Sequence, residues 1–86
     1  MYKLKLSNQA IKDTALIERF GLKNKIADLL RVIRINPFQN PPPYEKLRKE
    51  YAGFYSRRIS KQHRLIYRVL EDENTVRIFR MWGHYE

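Results

Sequence analysis

Cysteine is absent from the 86-residue sequence, which excludes a disulfide framework and thiol chemistry. Long apolar runs are absent as well, since no stretch approaches the roughly 20 apolar residues that cross a bilayer. The first residues, MYKLKLSNQ, also lack an apolar run of signal-peptide length. We therefore expect a soluble protein of the cytoplasm that does not associate with a membrane.

Acidic residues are scarce relative to basic ones. Nine Asp and Glu stand against 18 Lys and Arg, which gives a net charge of +9. Such a surplus on a small chain predicts a polyanionic partner, either nucleic acid, an acidic protein, or both. A chain of 86 residues holds one small core, so we expect a single domain over residues 1–86.

Metal ligands and nucleophile motifs are also lacking. The chain has two histidines, His63 and His84, and contains no HxH, HExxH or cysteine cluster. No GxSxG segment is present to support a serine nucleophile. The sequence therefore predicts a protein without a metal or another cofactor.

The N-terminal part predicts a strand followed by a helix. Residues 2–6 alternate between apolar and basic side chains, as in a half-buried strand. Ser7 suits the N-cap of a helix from about Asn8 to Phe20, and Gly21 ends it because glycine tolerates positive φ. The side chains expected to face inward from this helix include Ile11, Ala15 and Phe20.

A second helix has the clearest apolar stripe in the sequence. Its members are Leu22, Ile26, Leu29, Leu30 and Ile33. Pro37 ends this helix because proline disfavours helical geometry in the preceding residue. The glycine between the two helices predicts an antiparallel helical hairpin. Three prolines at 41–43 then predict a stiff, extended connector that leads to Glu45.

From Phe54 onward the apolar period becomes two, which predicts three consecutive strands. The resulting fold class is α+β, with element order β-α-α-β-β-β and two helices packed on one face of an antiparallel sheet. In the middle strand, alternation places Leu65 with the core and Arg64 on the opposite, open face. Arg57 and Arg58 are adjacent, so one of them must point outward, but alternation does not identify which.

The segment from Glu45 to Tyr67 is dense in arginine and aromatic residues. Cleavage of RNA without a metal requires a base for the 2′-hydroxyl, a cation for the phosphorane and an acid for the 5′-oxygen. Glu45, the arginines and His84 are of the right types. Each also has an ordinary explanation, as an exposed loop carboxylate, a basic stripe that contacts phosphate, or a tail residue. His63 fits a surface residue beside a turn. RNA cleavage and simple RNA binding both stay open on these residues.

The segment at 53–69, GFYSRRISKQHRLIYRV, resembles the YoeB/Txe branch of the RelE toxin superfamily. Further elements of that family's pattern follow in the same order, namely an NPF tripeptide at 36–38, Glu45-Lys46-Leu47 and His84-Tyr85. Lys46 departs from the pattern because the family commonly has a proline there.

The resemblance implies a RelE-like fold and an mRNA interferase that cuts messenger RNA in the A site of the 70S ribosome. It also implies neutralisation by an acidic antitoxin of the YefM/Phd type, and it leaves a homodimer open. Glu45 would be the general base, Arg64 would stabilise the transition state, and His84 would be the general acid. The implied phosphate and substrate contacts are Arg48, Arg58 and Tyr85. A ParE-like toxin that acts without cleaving RNA is the alternative on the same scaffold.

Overall fold

The computed structural model describes residues 1–83 of the chain. Its helices are α1 (Asn8–Arg19) and α2 (Lys23–Ile35), and its strands are β1 (Lys3–Leu6), β2 (Glu45–Lys46), β3 (Tyr55–Arg58), β4 (Arg64–Leu70) and β5 (Thr75–Arg80). Short 3-10 turns at Lys49–Tyr51 and Glu71–Glu73 complete the regular structure. The two helices pack against the sheet, which confirms the α+β class.

The sheet has five strands in the order β1-β5-β4-β3-β2. The expectation of an antiparallel sheet is wrong at one edge, where β1 pairs with β5 in parallel. The reason is topological. The two helices follow β1 directly and form part of a crossover connection, which is what parallel neighbours require. The strand β2 was also not predicted, because two residues are too few to show a period of two.

Helix α1 begins as expected, but a different face of it is buried. The Ser7 Oγ accepts from the Ala10 N–H at 3.0 Å, and Gly21 has φ +71°. The expected inward residues Ile11 and Phe20 are instead 55% and 61% exposed, and Ala15 is exposed as well. The buried positions are Ala10, Asp13 and Ile17. The helix is rotated relative to its apolar pattern because a buried carboxylate anchors it.

That carboxylate is Asp13, whose side chain is 1% exposed. Its Oδ2 accepts from the backbone N–H of Met81 at 2.9 Å and from Arg80 Nε at 3.3 Å. Its Oδ1 accepts from Gln9 Nε2 at 3.1 Å. Asp13 therefore ties α1 to the end of β5, where the chain leads toward its last residues.

Helix α2 behaves as its stripe predicts. Ile26, Leu29 and Ile33 are buried in the core, and they pack with Leu65 of β4 in one cluster. The far side of the sheet is not fully open at its centre, because Ile66 is completely buried there. No helix within residues 1–83 is long and apolar enough to cross a membrane.

Candidate active site

Three adjacent strands bring a carboxylate and a guanidinium together. Glu45 of β2 lies opposite Ser56 of β3, and Arg58 lies opposite Arg64 of β4. Arg64 Nη1 is 3.6 Å from Glu45 Oε1 and donates to Ser56 Oγ at 3.4 Å. The Arg64 side chain is only 15% exposed, whereas that of Glu45 is 66% exposed. The site therefore has a cation held in place beside a carboxylate that is open to solvent.

The two adjacent arginines of β3 point to opposite faces. Arg57 is completely buried, and Arg58 is exposed on the face that carries Arg64. Arg58 and Arg64 are Cα partners on neighbouring strands, and like charges at such positions are destabilising. The pair of Arg58 and Arg64 is thus suited to a shared phosphate.

Arg57 organises the connector that delivers Glu45. Its guanidinium donates to the carbonyl oxygens of Pro37 (3.1 Å), Gln39 (2.9 Å) and Pro42. It also donates to the Tyr67 hydroxyl at 3.2 Å, and that hydroxyl donates to the Pro37 carbonyl at 2.6 Å. Carbonyls that the prolines leave unpaired in the connector are therefore satisfied by one buried cation.

Tyrosine rings surround this arginine. The Arg57 guanidinium lies 5.1 Å from the Tyr44 ring centroid and 5.9 Å from that of Tyr67. Burial raises the pKa of the Tyr67 phenol above 10.0, because a buried phenolate loses its hydration, while the charge of Arg57 acts in the opposite direction. Tyr44 and Tyr55 are half-buried with ring centroids 5.9 Å apart. These rings form a packed support under the connector.

An open groove runs beside Glu45. Its lining comes from Asn40 and from residues 44–53. Arg48 lies on this groove with Lys46 and Lys49, and all three side chains are exposed. Arg48 therefore shares a surface with Glu45, although no contact between Arg48 and Glu45 is observed.

The C-terminal end of the described chain reaches the same site. The Arg64 N–H donates to the Gly83 carbonyl at 3.0 Å, so Gly83 lies beside the start of β4. His63, expected to be a surface residue, is half-buried and accepts from the Gly83 N–H at 3.1 Å. His84 and Tyr85, which the resemblance implies as acid and substrate contact, lie outside the described residues.

The sequence offered no signal for two of these contributors. Arg57 could not be separated from Arg58, and His63 has no periodic or motif feature that indicates its contact with Gly83. Among residues 1–83, no three His, Cys, Asp or Glu side chains are grouped to hold a metal ion. The described site can accept a proton at Glu45 and can bind a phosphate oxygen at Arg64.

Comparison with known proteins points to one family. A family model for the YoeB-like toxin of bacterial type II toxin–antitoxin systems matches residues 8–85. The toxin YoeB of Escherichia coli (strain K12) is 42% identical over 48 residues, which cover 56% of this chain and 57% of the relative. The chain thus aligns with little more than half the length of that curated relative.

Solved structures match over almost the whole chain. A YoeB/ParE toxin from Agrobacterium tumefaciens is 30% identical with a TM-score of 0.87, and the match covers 96% of this chain and 99% of that one. The heterotetrameric YoeB-YefM toxin-antitoxin complex from Staphylococcus aureus matches at 32% identity and a TM-score of 0.81, over 99% of each chain. A YoeB dimer from the same species matches at 33% and 0.82, over 98% of each chain.

Proposed function

Because this chain belongs to the YoeB-like toxin family of bacterial type II toxin–antitoxin systems, we propose that it is a toxin that cleaves messenger RNA in the ribosomal A site. The observation that carries the proposal is the position of Arg64 Nη1, 3.6 Å from Glu45 Oε1, on two strands of one sheet that lie on either side of β3. A carboxylate beside a fixed guanidinium supplies two of the three groups that metal-free cleavage of RNA requires.

In the proposed reaction, the Glu45 carboxylate takes the proton of a 2′-hydroxyl. The 2′-oxygen then forms a bond to phosphorus while the bond between phosphorus and the 5′-oxygen breaks. Arg64 stabilises the negative charge on the phosphorane oxygens, and its low exposure strengthens that interaction. His84 donates a proton to the departing 5′-oxygen. The products are a 2′,3′-cyclic phosphate, or a 3′-phosphate after hydrolysis, and a 5′-hydroxyl.

Arg58, Arg48 and Tyr85 complete the proposed site as substrate contacts. For Arg58, this role is supported by its position opposite Arg64 on the exposed face of the sheet. For Arg48, the same role is supported by its position on the groove that Glu45 also lines. Tyr85 follows His84 in the chain and is assigned by the family pattern alone.

Growth arrest on expression tests the three catalytic assignments. Glu45→Ala, Arg64→Ala and His84→Ala should each relieve the arrest while the protein still folds. Cleavage should fall by about 10²–10⁴-fold for loss of the base or acid and by about 10²–10³-fold for loss of the phosphorane contact. Glu50→Gln is the matched control, because Glu50 is an exposed carboxylate on the same groove. Full toxicity of all three alanine variants would refute the assignment.

Mapping of RNA ends tests ribosome dependence. A messenger with one defined codon in the A site should be cut within that codon when ribosomes are present, and left intact when they are omitted. Equal cutting of free RNA would contradict the ribosome-dependent part of the proposal. Intact RNA in both cases, together with growth arrest, would instead favour a toxin that does not cleave RNA.

The proposed partner in the cell is an acidic antitoxin of the YefM type. The net charge of +9 supports this proposal, because an acidic segment that covers Arg58 and Arg64 would relieve their mutual repulsion. The YoeB-YefM complex from Staphylococcus aureus supports it by similarity. We further propose that the toxin acts in the cytoplasm, where ribosomes are found. The solved YoeB dimer from Staphylococcus aureus supports the further proposal that this chain forms a homodimer.

A further inference from the structure

The backbone of Gly83 is held by hydrogen bonds on both sides of its Cα atom. Its N–H donates to His63 Nδ1 at 3.1 Å, and its carbonyl accepts from the Arg64 N–H at 3.0 Å. Gly83 has φ +115°, a conformation that residues with a Cβ atom rarely adopt. His63, just before β4, and Arg64, its first residue, therefore hold both polar groups of the Gly83 backbone.

The ring of His63 is itself fixed. It stacks on the Trp82 ring with centroids 3.6 Å apart and an interplanar angle of 19°. The Trp82 ring in turn packs against the exposed ring of Phe20, with ring centroids 5.1 Å apart, which connects the stack to the end of α1. The backbone N–H of His63 donates to Ser60 Oγ at 3.2 Å, so the turn before β4 also holds the main chain of His63. Nδ1 accepts the hydrogen bond from the Gly83 N–H, so this nitrogen carries a lone pair and no hydrogen. In the neutral ring the hydrogen is therefore on Nε2.

We propose that His63 is a positioning residue for the RNA cleavage reaction, because its Nδ1 holds the backbone N–H of Gly83, the residue that precedes His84 in the chain. This inference rests on the proposed function, in which His84 is the general acid. Neighbouring Cα atoms are 3.8 Å apart across a trans peptide. An error in the Gly83 backbone direction is therefore carried directly into the placement of the next residue, and a displacement of about 1 Å can lower a rate by 10²-fold.

A purely structural role for His63 would depend on the ring rather than on Nδ1. Two substitutions separate these roles. His63→Phe keeps an aromatic ring to stack on Trp82 but removes the acceptor for the Gly83 N–H. His63→Asn removes the ring but keeps a side-chain oxygen near the position of Nδ1. Gln62→Ala is the matched control, because Gln62 is exposed in the same turn.

The measurement is steady-state cleavage of a messenger with a defined A-site codon by the full-length variants. His63→Phe should lower kcat by about 10- to 100-fold with an unchanged KM, because the acid is misplaced while substrate contacts remain. His63→Asn should retain a kcat close to wild type, and Gln62→Ala should match wild type. The amide proton of Gly83 should shift upfield in the NMR spectrum of His63→Phe and keep its hydrogen-bonded shift in His63→Asn.

The outcomes separate this inference from the proposal on which it rests. If wild type cleaves and His63→Phe cleaves equally well, the positioning role is refuted and the catalytic assignment stands. If His63→Asn loses activity while His63→Phe retains it, the ring rather than Nδ1 matters and the role is structural. Equal loss in both variants also refutes a role that Nδ1 carries alone. If wild type does not cleave at all, both the proposed function and this inference are refuted.

Discussion

Arg57 and Arg58 are neighbours with the same side chain, yet strand alternation gives them separate environments. Arg57 is fully buried and donates to four oxygen atoms, three of them carbonyls of the connector before β2. Arg58 is exposed and lies opposite Arg64. We therefore expect the first arginine to determine stability and the second to determine substrate binding.

Substitution of each arginine by alanine tests this division. Arg57→Ala leaves buried carbonyls without a donor, so the free energy of unfolding should fall by about 2–4 kcal/mol. Arg58→Ala should change it by about 0.5 kcal/mol or less, as is usual at exposed positions, while RNA cleavage is reduced. Urea unfolding gives the stabilities and end mapping gives the cleavage. Similar losses of stability in both variants would contradict the division.

The buried phenol of Tyr67 predicts a loss of stability in alkali. Its folded-state pKa is raised above 10.0 by burial, whereas the unfolded chain releases this proton near 10.0. The stabilising contribution is therefore complete below pH 10.0 and is lost as the pH rises through the folded-state pKa. Tyr67→Phe has no such proton, so the stability advantage of wild type over this variant should shrink above pH 10.0. Urea unfolding at a series of pH values measures the difference, and parallel curves would contradict the assignment.

At the scale of elements, the sequence predicted α2 and the β3–β4 hairpin well. In these segments the spacing of apolar residues and the turn-forming residues predict the same elements, and Leu65 faces the core as expected. Helix α1 was predicted with the wrong buried face, because its rotation is set by Asp13 and not by Ile11. A buried carboxylate does not reveal itself in the sequence, since its partners are the backbone of Met81 and the side chains of residues 9 and 80.

The candidate site was predictable to the same limited degree. Alternation correctly placed Arg64 away from the helices, and the prolines correctly suggested a fixed path to Glu45. The contact between them was not predictable, because it depends on the register of Glu45 opposite Ser56. A two-residue strand at a sheet edge has no local pattern that sets this register.

Asp13 provides the test for the attachment of α1. Asp13→Ala leaves the buried N–H of Met81 without its acceptor, so the free energy of unfolding should fall by about 1–3 kcal/mol. Asp13→Asn keeps one side-chain oxygen and should cost less. Asp28→Asn is the control, because Asp28 forms an exposed pair with Arg31 on α2, and exposed pairs contribute about 0–1 kcal/mol. Equal effects at positions 13 and 28 would contradict the anchoring role.

At the scale of the whole molecule, the charge of +9 predicts salt-dependent binding to RNA. With Glu45→Gln to block cleavage, the logarithm of the association constant for single-stranded RNA should fall linearly with the logarithm of salt concentration. Adding Arg58→Ala should reduce the slope by about 1, since one phosphate contact is lost. Adding Lys23→Ala should leave the slope unchanged, because Lys23 forms an ion pair with Glu18 where α1 meets α2. Fluorescence anisotropy measures the constants, and an unchanged slope for Arg58→Ala would contradict its role.

The parallel pairing of β1 with β5 also bears on when the protein folds during its synthesis. The register runs from Lys3 opposite Thr75 to Leu6 opposite Ile78, so β1 has no neighbour until β5 exists. Asp13 of helix α1 likewise meets two of its donors, Arg80 Nε and the Met81 N–H, only after β5 has been made. A nascent chain that has not released β5 from the ribosome can form the β3–β4 hairpin but cannot close the core.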